Sequence, residues 1–275
     1  MKKVLTDEEK VAYQRDGFLI RKAMFSPEEI ALLYNTATDD SITSHSMDFR
    51  DTTGKDTKLT LWFTPGDDPF GLMSRSEKMV YAVGELLHSE PTDVCHFHSK
   101  VMQKQPLTGG AWEWHQDYGY WYKNGFLYPE AMISVMVALT EANKENGCLQ
   151  VLKGSHKMQR FEHNFVGEQQ GADMDFVEQA ATMCELVYCE LQPGDVLFFH
   201  SNILHRSDAN NSKKSRWSVI SAYNLKYNKP FREKHLSCID PIKIVEDAAL
   251  LSSGNRQPVV ADFLKKEEEI TLHVK

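Results

Sequence analysis

The chain has 275 residues, 41% hydrophobic and 25% charged, with a formal net charge of −8. No apolar run reaches the roughly 18 residues of a membrane span, and the acidic balance excludes a nonspecific nucleic-acid binder, which needs clustered Lys and Arg. Five cysteines without a CxxC pair signal neither a disulfide framework nor a cysteine zinc site.

The opening MKKVLTDEEK carries no apolar signal core, so a reducing, cytoplasmic setting is expected. In chain order, Thr6 and Ser26 each precede a Glu by three residues, and Pro27 suits a first helical position. These capping boxes predict helices near 7–16 and 27–38, with a short strand from Gly17 to Ile20 between them. The stretch 39–70, with Arg50, Lys55, Lys58 and Trp62, is polar and turn-rich and reads as a mobile flap over a site. Residues 74–89 read as helix again.

From about residue 94 the pattern changes to short alternating runs broken by Gly, Asn and Pro. Ile133, Val135 and Val137 alternate with Ser134, Met136 and Ala138, and 186–191 and 217–223 share this β-rich character. The expected fold is mainly β with flanking α-helices: a double-stranded β-helix (jelly-roll, cupin-like) core. One domain over 1–275 is expected, with N-terminal helices and flap (1–92), β-roll core (93–230) and C-terminal extension (231–275).

His115 and Asp117 stand two residues apart, and in an extended strand such side chains share a face. With His205, placed after the apolar run Val196 to Phe199, they complete a two-His-one-carboxylate set that favours non-haem Fe(II). His200 is the rival third ligand. Arg216, eleven residues after His205, is expected to reach the same place across a β-hairpin and to grip a carboxylate bidentately; the alternative is a surface ion pair. A cosubstrate that chelates iron at one end and carries a distal carboxylate, 2-oxoglutarate, needs such an Arg. His96 and His98 fall on one strand face, and Trp112 and Trp114 read as core aromatics on one side of their strand. At least one of Tyr118, Tyr120 and Trp121 is expected to face the metal. Lys100 and Lys104 are either partners of an anionic group or solvent-exposed.

These segments together resemble the phytanoyl-CoA dioxygenase superfamily of Fe(II)/2-oxoglutarate oxygenases. The resemblance runs through QRDGFL (14–19), WHQD (114–117), NGCL (146–149), KGSH (153–156), PGD (193–195) and His205, Ser207, Asn210, Ser212 and Arg216. It implies Fe(II) ligation by His115, Asp117 and His205, 2-oxoglutarate held by Arg216 and Ser207, and O2 as oxidant. Trp121 would line both cosubstrate and substrate.

Residues 99–121 look most like the ectoine hydroxylases, which implies a substrate-contacting role for Phe199. At three positions the chain departs from them: His98 replaces a Gln, Lys100 an Arg and Met102 an Asn. The expected activity is therefore hydroxylation of a small polar or zwitterionic, amino-acid-like molecule. Alternatives are a small phosphonate, a CoA thioester, a catalytically silent metal-binding β-barrel and a zinc hydrolase. A carboxylate at 117, where halogenating relatives have a small residue, argues against halogenation. No nucleic-acid or membrane partner is expected, and the chain is read as a monomer or homodimer.

Overall fold

The computed structural model describes residues 3–166, 168–232, 238–254 and 262–265. Both predicted capping boxes form: α1 (Asp7–Asp16) and α2 (Pro27–Ala37) begin with Thr6 and Ser26 accepting from the N–H of Glu9 and Glu29. Between them Gly17, at a φ of 84°, turns the chain into β1 (Phe18–Arg21). A β-carbon at Gly17 would strike the ring of His156.

The segment expected as a flap instead holds α3 (Asp40–Thr43), β2 (Met47–Arg50) and β3 (Asp56–Trp62), a hairpin hydrogen-bonded in register with the strand that follows. Its polar residues concealed this because they form the outer row: Asp48 lies opposite Lys58, with a 2.8 Å ion pair, while Met47, Phe49 and Leu59 point inward. Trp62 is fully buried in a helix-packed core.

Helices α4 (Pro69–Arg75) and α5 (Glu77–Leu86) lead into β4 (Val94–Lys104), β5 (Trp112–His115) and α6 (Asp117–Lys123). Next come β6 (Met132–Ala138), β7 (Leu149–Leu152), the hairpin β8 (His163–Val166) and β9 (Gln169–Ala172), and α7 (Met174–Met183). The chain continues through β10 (Leu186–Cys189), β11 (Val196–His200), β12 (His205–Ser207), β13 (Arg216–Leu225) and α8 (Ala249–Ser252).

Seven strands form one sheet in the order β1-β11-β6-β13-β4-β3-β2, and four form another, β10-β7-β12-β5. This is the predicted jelly roll with flanking helices. The alternation in β6 explains the layering. Ile133, Val135 and Val137 face α2, α4 and α5 in the outer core, and Met136 and Ala138 face the second sheet across the inner core. Every residue of β6 and β13 is buried because both faces are covered. Much of the expected C-terminal extension, 233–237, 255–261 and 266–275, lies outside the described residues.

Two bulges reset which side chains share a face. In β4, His98 lies opposite Ala222 but His96 opposite Tyr223, so one extra residue sits between neighbouring pairs. His96 therefore turns outward to Phe63 and Ser99, while His98 turns inward to Trp121, contrary to their expected common face. In β5, His115 pairs with His205 but Trp112 with Ser207, again with one residue too many. Trp112 thus joins His115 inside, and Trp114 turns outward beneath the Arg206 guanidinium.

Candidate active site

His115 closes β5, His205 opens β12 directly opposite it, and Asp117 is the first residue of α6. The expectation of one strand carrying both His115 and Asp117 is thereby corrected: the strand ends between them, and the helical turn swings the carboxylate back toward the imidazoles. One ligand atom from each of the three residues lies within 4.8 Å of the others, and all three residues are buried. Asp117 Oδ1 is 3.8 Å from His115 Nε2 and 3.9 Å from His205 Nε2.

Backbone geometry fixes both tautomers. His115 Nδ1 is 2.7 Å from the Glu113 carbonyl oxygen and His205 Nδ1 is 3.0 Å from that of Ile203. A carbonyl only accepts, so each Nδ1 carries the proton and each Nε2 presents a lone pair to the centre. Burial pushes the His115 imidazole well below its ordinary range, with neighbouring His205 adding to this, and burial likewise lowers His205. Asp117 feels burial raising it, yet Lys100, His205, the Ser134 hydroxyl and His98 outweigh that and hold it below the usual carboxylate value. Two neutral imidazoles beside one carboxylate form a donor set suited to a divalent transition metal.

The residues that brace this set went unnoticed as functional in the sequence. Ser134 donates to Asp117 Oδ2 at 2.5 Å; its signal was a hydroxyl in the inward row of an apolar strand. Gln116, wholly buried between the two β5–α6 donors, gives its backbone N–H to His163 Nε2 at 2.9 Å. Its side-chain amide donates to Asn202, and its side-chain oxygen accepts from Phe161 N–H. Those partners are far away in sequence, so no local pattern announces them.

Arg216 does not arrive by the expected hairpin. β12 belongs to the four-stranded sheet and β13 to the seven-stranded one, and the chain crosses between sheets over 208–215. Asn210 secures that crossing by donating to the carbonyls of Lys104 and Lys214. The guanidinium is buried, donates to the Gly147 carbonyl and leaves Nε without a partner. It is therefore not the surface ion pair that was the alternative. Two residues along the same inward row, Ser218 Oγ is also buried without a partner. Burial lowers Arg216 to about 10, which still leaves it charged at neutral pH.

Ser207 lies in the inward row of β12 with His205, and Phe199 places its ring 5.0 Å from that of His205. His98 meets the edge of Trp121 at 6.1 Å. Lys100 is half-buried on the same inward row as His98 and Met102. Tyr120 is the aromatic beside the donors, 5.6 Å from His115, whereas Tyr118 points away and donates to the Phe126 carbonyl.

Lys104 is neither solvent-exposed nor turned toward an anion. It is fully buried and donates to the carbonyls of Gly110, Ser207 and Asp208 at 2.7, 3.4 and 2.5 Å. The rival ligand His200 lies outside the cluster: its ring sits 5.2 Å from His156, and its Nδ1 accepts from Asn202 N–H. Among the described residues no disulfide forms, and no helix is long and apolar enough to cross a membrane.

Comparison with known proteins gives this geometry a context. The family described as phytanoyl-CoA dioxygenase (PhyH) matches residues 13–218. An ectoine dioxygenase of Bordetella bronchiseptica is 24% identical over 274 residues, covering 88% of each chain. The phytanoyl-CoA dioxygenase domain-containing protein 1 of Danio rerio is 26% identical, covering 78% of this chain and 88% of its own. Among solved structures, EctD from S. alaskensis with bound Fe superposes with a TM-score of 0.72 at 18% identity, covering 88% of each chain. The same protein with 2-oxoglutarate and 5-hydroxyectoine gives 0.69 at 20% identity, covering 90% of this chain and 86% of its own. The chain therefore belongs to the phytanoyl-CoA dioxygenase family, and with it to the iron(II)- and 2-oxoglutarate-dependent dioxygenases.

Proposed function

We propose that His115, Asp117 and His205 hold iron(II), that Arg216 with Ser207 holds the distal carboxylate of 2-oxoglutarate, and that the enzyme hydroxylates a small polar or zwitterionic molecule of amino-acid type. One observation carries this reading. Three donor atoms converge within 4.8 Å, and the same interior holds a buried guanidinium with an unpartnered Nε. A buried, charged donor without a partner is costly, and a bound carboxylate would remove that cost. When bound, iron and 2-oxoglutarate supply the oxidation of substrate by O2, with succinate and CO2 as coproducts.

The chain's own residues set the geometry. The carbonyls of Glu113 and Ile203 keep both Nε2 atoms unprotonated and aimed inward, and Ser134 takes one oxygen of Asp117, leaving the other for the metal. The Ser218 hydroxyl is a second donor in the Arg216 row for the cosubstrate carboxylate. On the substrate side, Lys100 and His98 suit an anionic group, and the rings of Trp121 and Phe199 suit a cationic or apolar one. The ectoine dioxygenase relatives support a zwitterionic substrate.

Anaerobic titration with Fe(II) and 2-oxoglutarate should produce the weak visible charge-transfer band of the chelate, and His115→Ala should abolish it. Arg216→Ala should raise the 2-oxoglutarate requirement at least about tenfold, the loss of one buried charge-assisted pair, while leaving metal affinity intact. A wild-type protein that binds metal but shows no band and forms no succinate would instead be a silent metal-binding barrel.

A further inference from the structure

The β2–β3 pairing ends with Met47 opposite Leu59, yet β3 runs on to Trp62. Beyond Leu59, the edge that β2 leaves open is taken by a segment from the far end of the chain. Phe263 forms an antiparallel bridge with Trp62, and Leu264 N–H donates to the Leu61 carbonyl at 2.9 Å. The Asp262 carboxylate accepts from the backbone N–H groups of Phe63 and Thr64 at 3.3 and 2.9 Å.

Three consecutive residues thus behave as one more strand of the seven-stranded sheet, and their side chains alternate as a strand requires. Phe263 faces outward, stacked on His45 at 4.1 Å and edge-on to Trp62. Leu264 faces inward and is buried in the core between the two sheets, against which Leu61 and Phe63 also pack. Leu61 lies opposite Lys100 across the β3–β4 pair, so Leu264 stands two strand spacings, about 10 Å, from the strand that carries Lys100 and His98.

From this placement we infer that Leu264 is a wall of the substrate chamber and a specificity-determining residue: with Leu61 it limits how far the part of the substrate remote from the metal extends. The inference rests on the reading of the triad as the iron site. Asp262 is the positioning residue that anchors this strap from the edge, while Phe263 packs on the outer core, on the face opposite the chamber. The chamber thereby takes its far wall from residues remote in sequence from the metal motif. A Leu at this place favours a substrate whose remote portion is aliphatic.

The test uses the full chain with Leu264→Ala, Leu264→Trp and, as a control directed at the opposite face, Phe263→Ala. Straight-chain L-amino acids from alanine to norleucine serve as probes, and succinate formation is measured with each probe and with 2-oxoglutarate alone. Leu264→Ala should raise kcat/KM for the longest accepted probe about tenfold, the scale of a methylene or two in an apolar pocket, and Leu264→Trp should lower it by as much. If wild type turns over none of the probes, the succinate formed without substrate decides the matter. It should rise in Leu264→Ala and fall in Leu264→Trp as water access to the chamber changes. The 2-oxoglutarate KM and the chelate band should stay within about twofold throughout, well under the tenfold scale of a lost contact.

Phe263→Ala should lower Tm without reordering the probes. Unchanged behaviour in both Leu264 variants, or the same shift from Phe263→Ala, overturns the assignment. A missing chelate band in wild type overturns the iron reading, and this proposal with it.

Discussion

Gly119 shows how little room surrounds the turn proposed to bind the metal. It lies two residues after Asp117 in α6, and a β-carbon there would come within 2.2–2.4 Å of three atoms of the His163 ring. That ring cannot give way cheaply, because Nδ1–H donates to the Phe161 carbonyl and Nε2 accepts from Gln116 N–H. Gly119→Ala should therefore cost about 1–3 kcal/mol as an overpacking strain. Since the strain falls on the turn that aims Asp117, Fe(II) affinity should fall with it. Thermal melts with and without metal will show both losses, and an unchanged metal affinity would mean that the turn absorbs the strain elsewhere. The donor residues themselves were legible in the sequence, because His, Asp and Arg in this spacing have few structural uses together. Ser134, Gln116 and His163 were not, since their roles depend on partners that only the fold brings near. Lys104 was misjudged for the same reason: three backbone carbonyls accept from its buried amine, and carbonyls leave no mark in a sequence.

Among elements, the helices were the most legible, because caps are local. Thr6 and Ser26 announce α1 and α2 to within a residue, and both boxes close as expected. Ser26→Ala should cost about 1 kcal/mol of stability and leave kcat unchanged, because α2 packs on the outer core and touches no donor residue. Chemical denaturation paired with succinate assays would check this, and a parallel loss of activity would show that the outer helices position the site. Strands were less legible where the ladder slips. Alternation assigns faces only while pairing is regular, and the bulges in β4 and β5 each move an aromatic side chain to the face opposite its expected one. The hairpin β2–β3 was hidden by a different effect. An edge strand with one solvated face carries as many polar residues as a loop, and here the turn residues around it completed the disguise.

For the molecule as a whole, histidines held neutral by their surroundings, buried His163 and half-buried His200, make stability depend on pH. Burial holds His163 at about 4, and burial followed by the neighbouring His156 holds His200 at about 3. Both lie below the roughly 6.5 of an unfolded chain. Above about pH 6.5 neither state binds the proton, and the stability these residues contribute is complete. As pH falls below it, the unfolded chain takes up protons that the folded one refuses, and each residue loses about 2 kcal/mol of stabilisation by pH 5. The urea midpoint of the metal-free protein should thus fall steadily from pH 7 to pH 5. A flat profile would mean that the histidines are hydrated in the folded state.

The strand order also governs when the centre can come into being. β1 pairs with β11, and β13 fills the middle of the sheet between β6 and β4, so β1 waits for a partner far downstream in the chain. Nonlocal pairing of this kind makes assembly slow. His115 and Asp117 emerge well before His205 exists to face them, and Arg216 follows last. Iron capture at the proposed site would consequently follow closure of the roll rather than nucleate it.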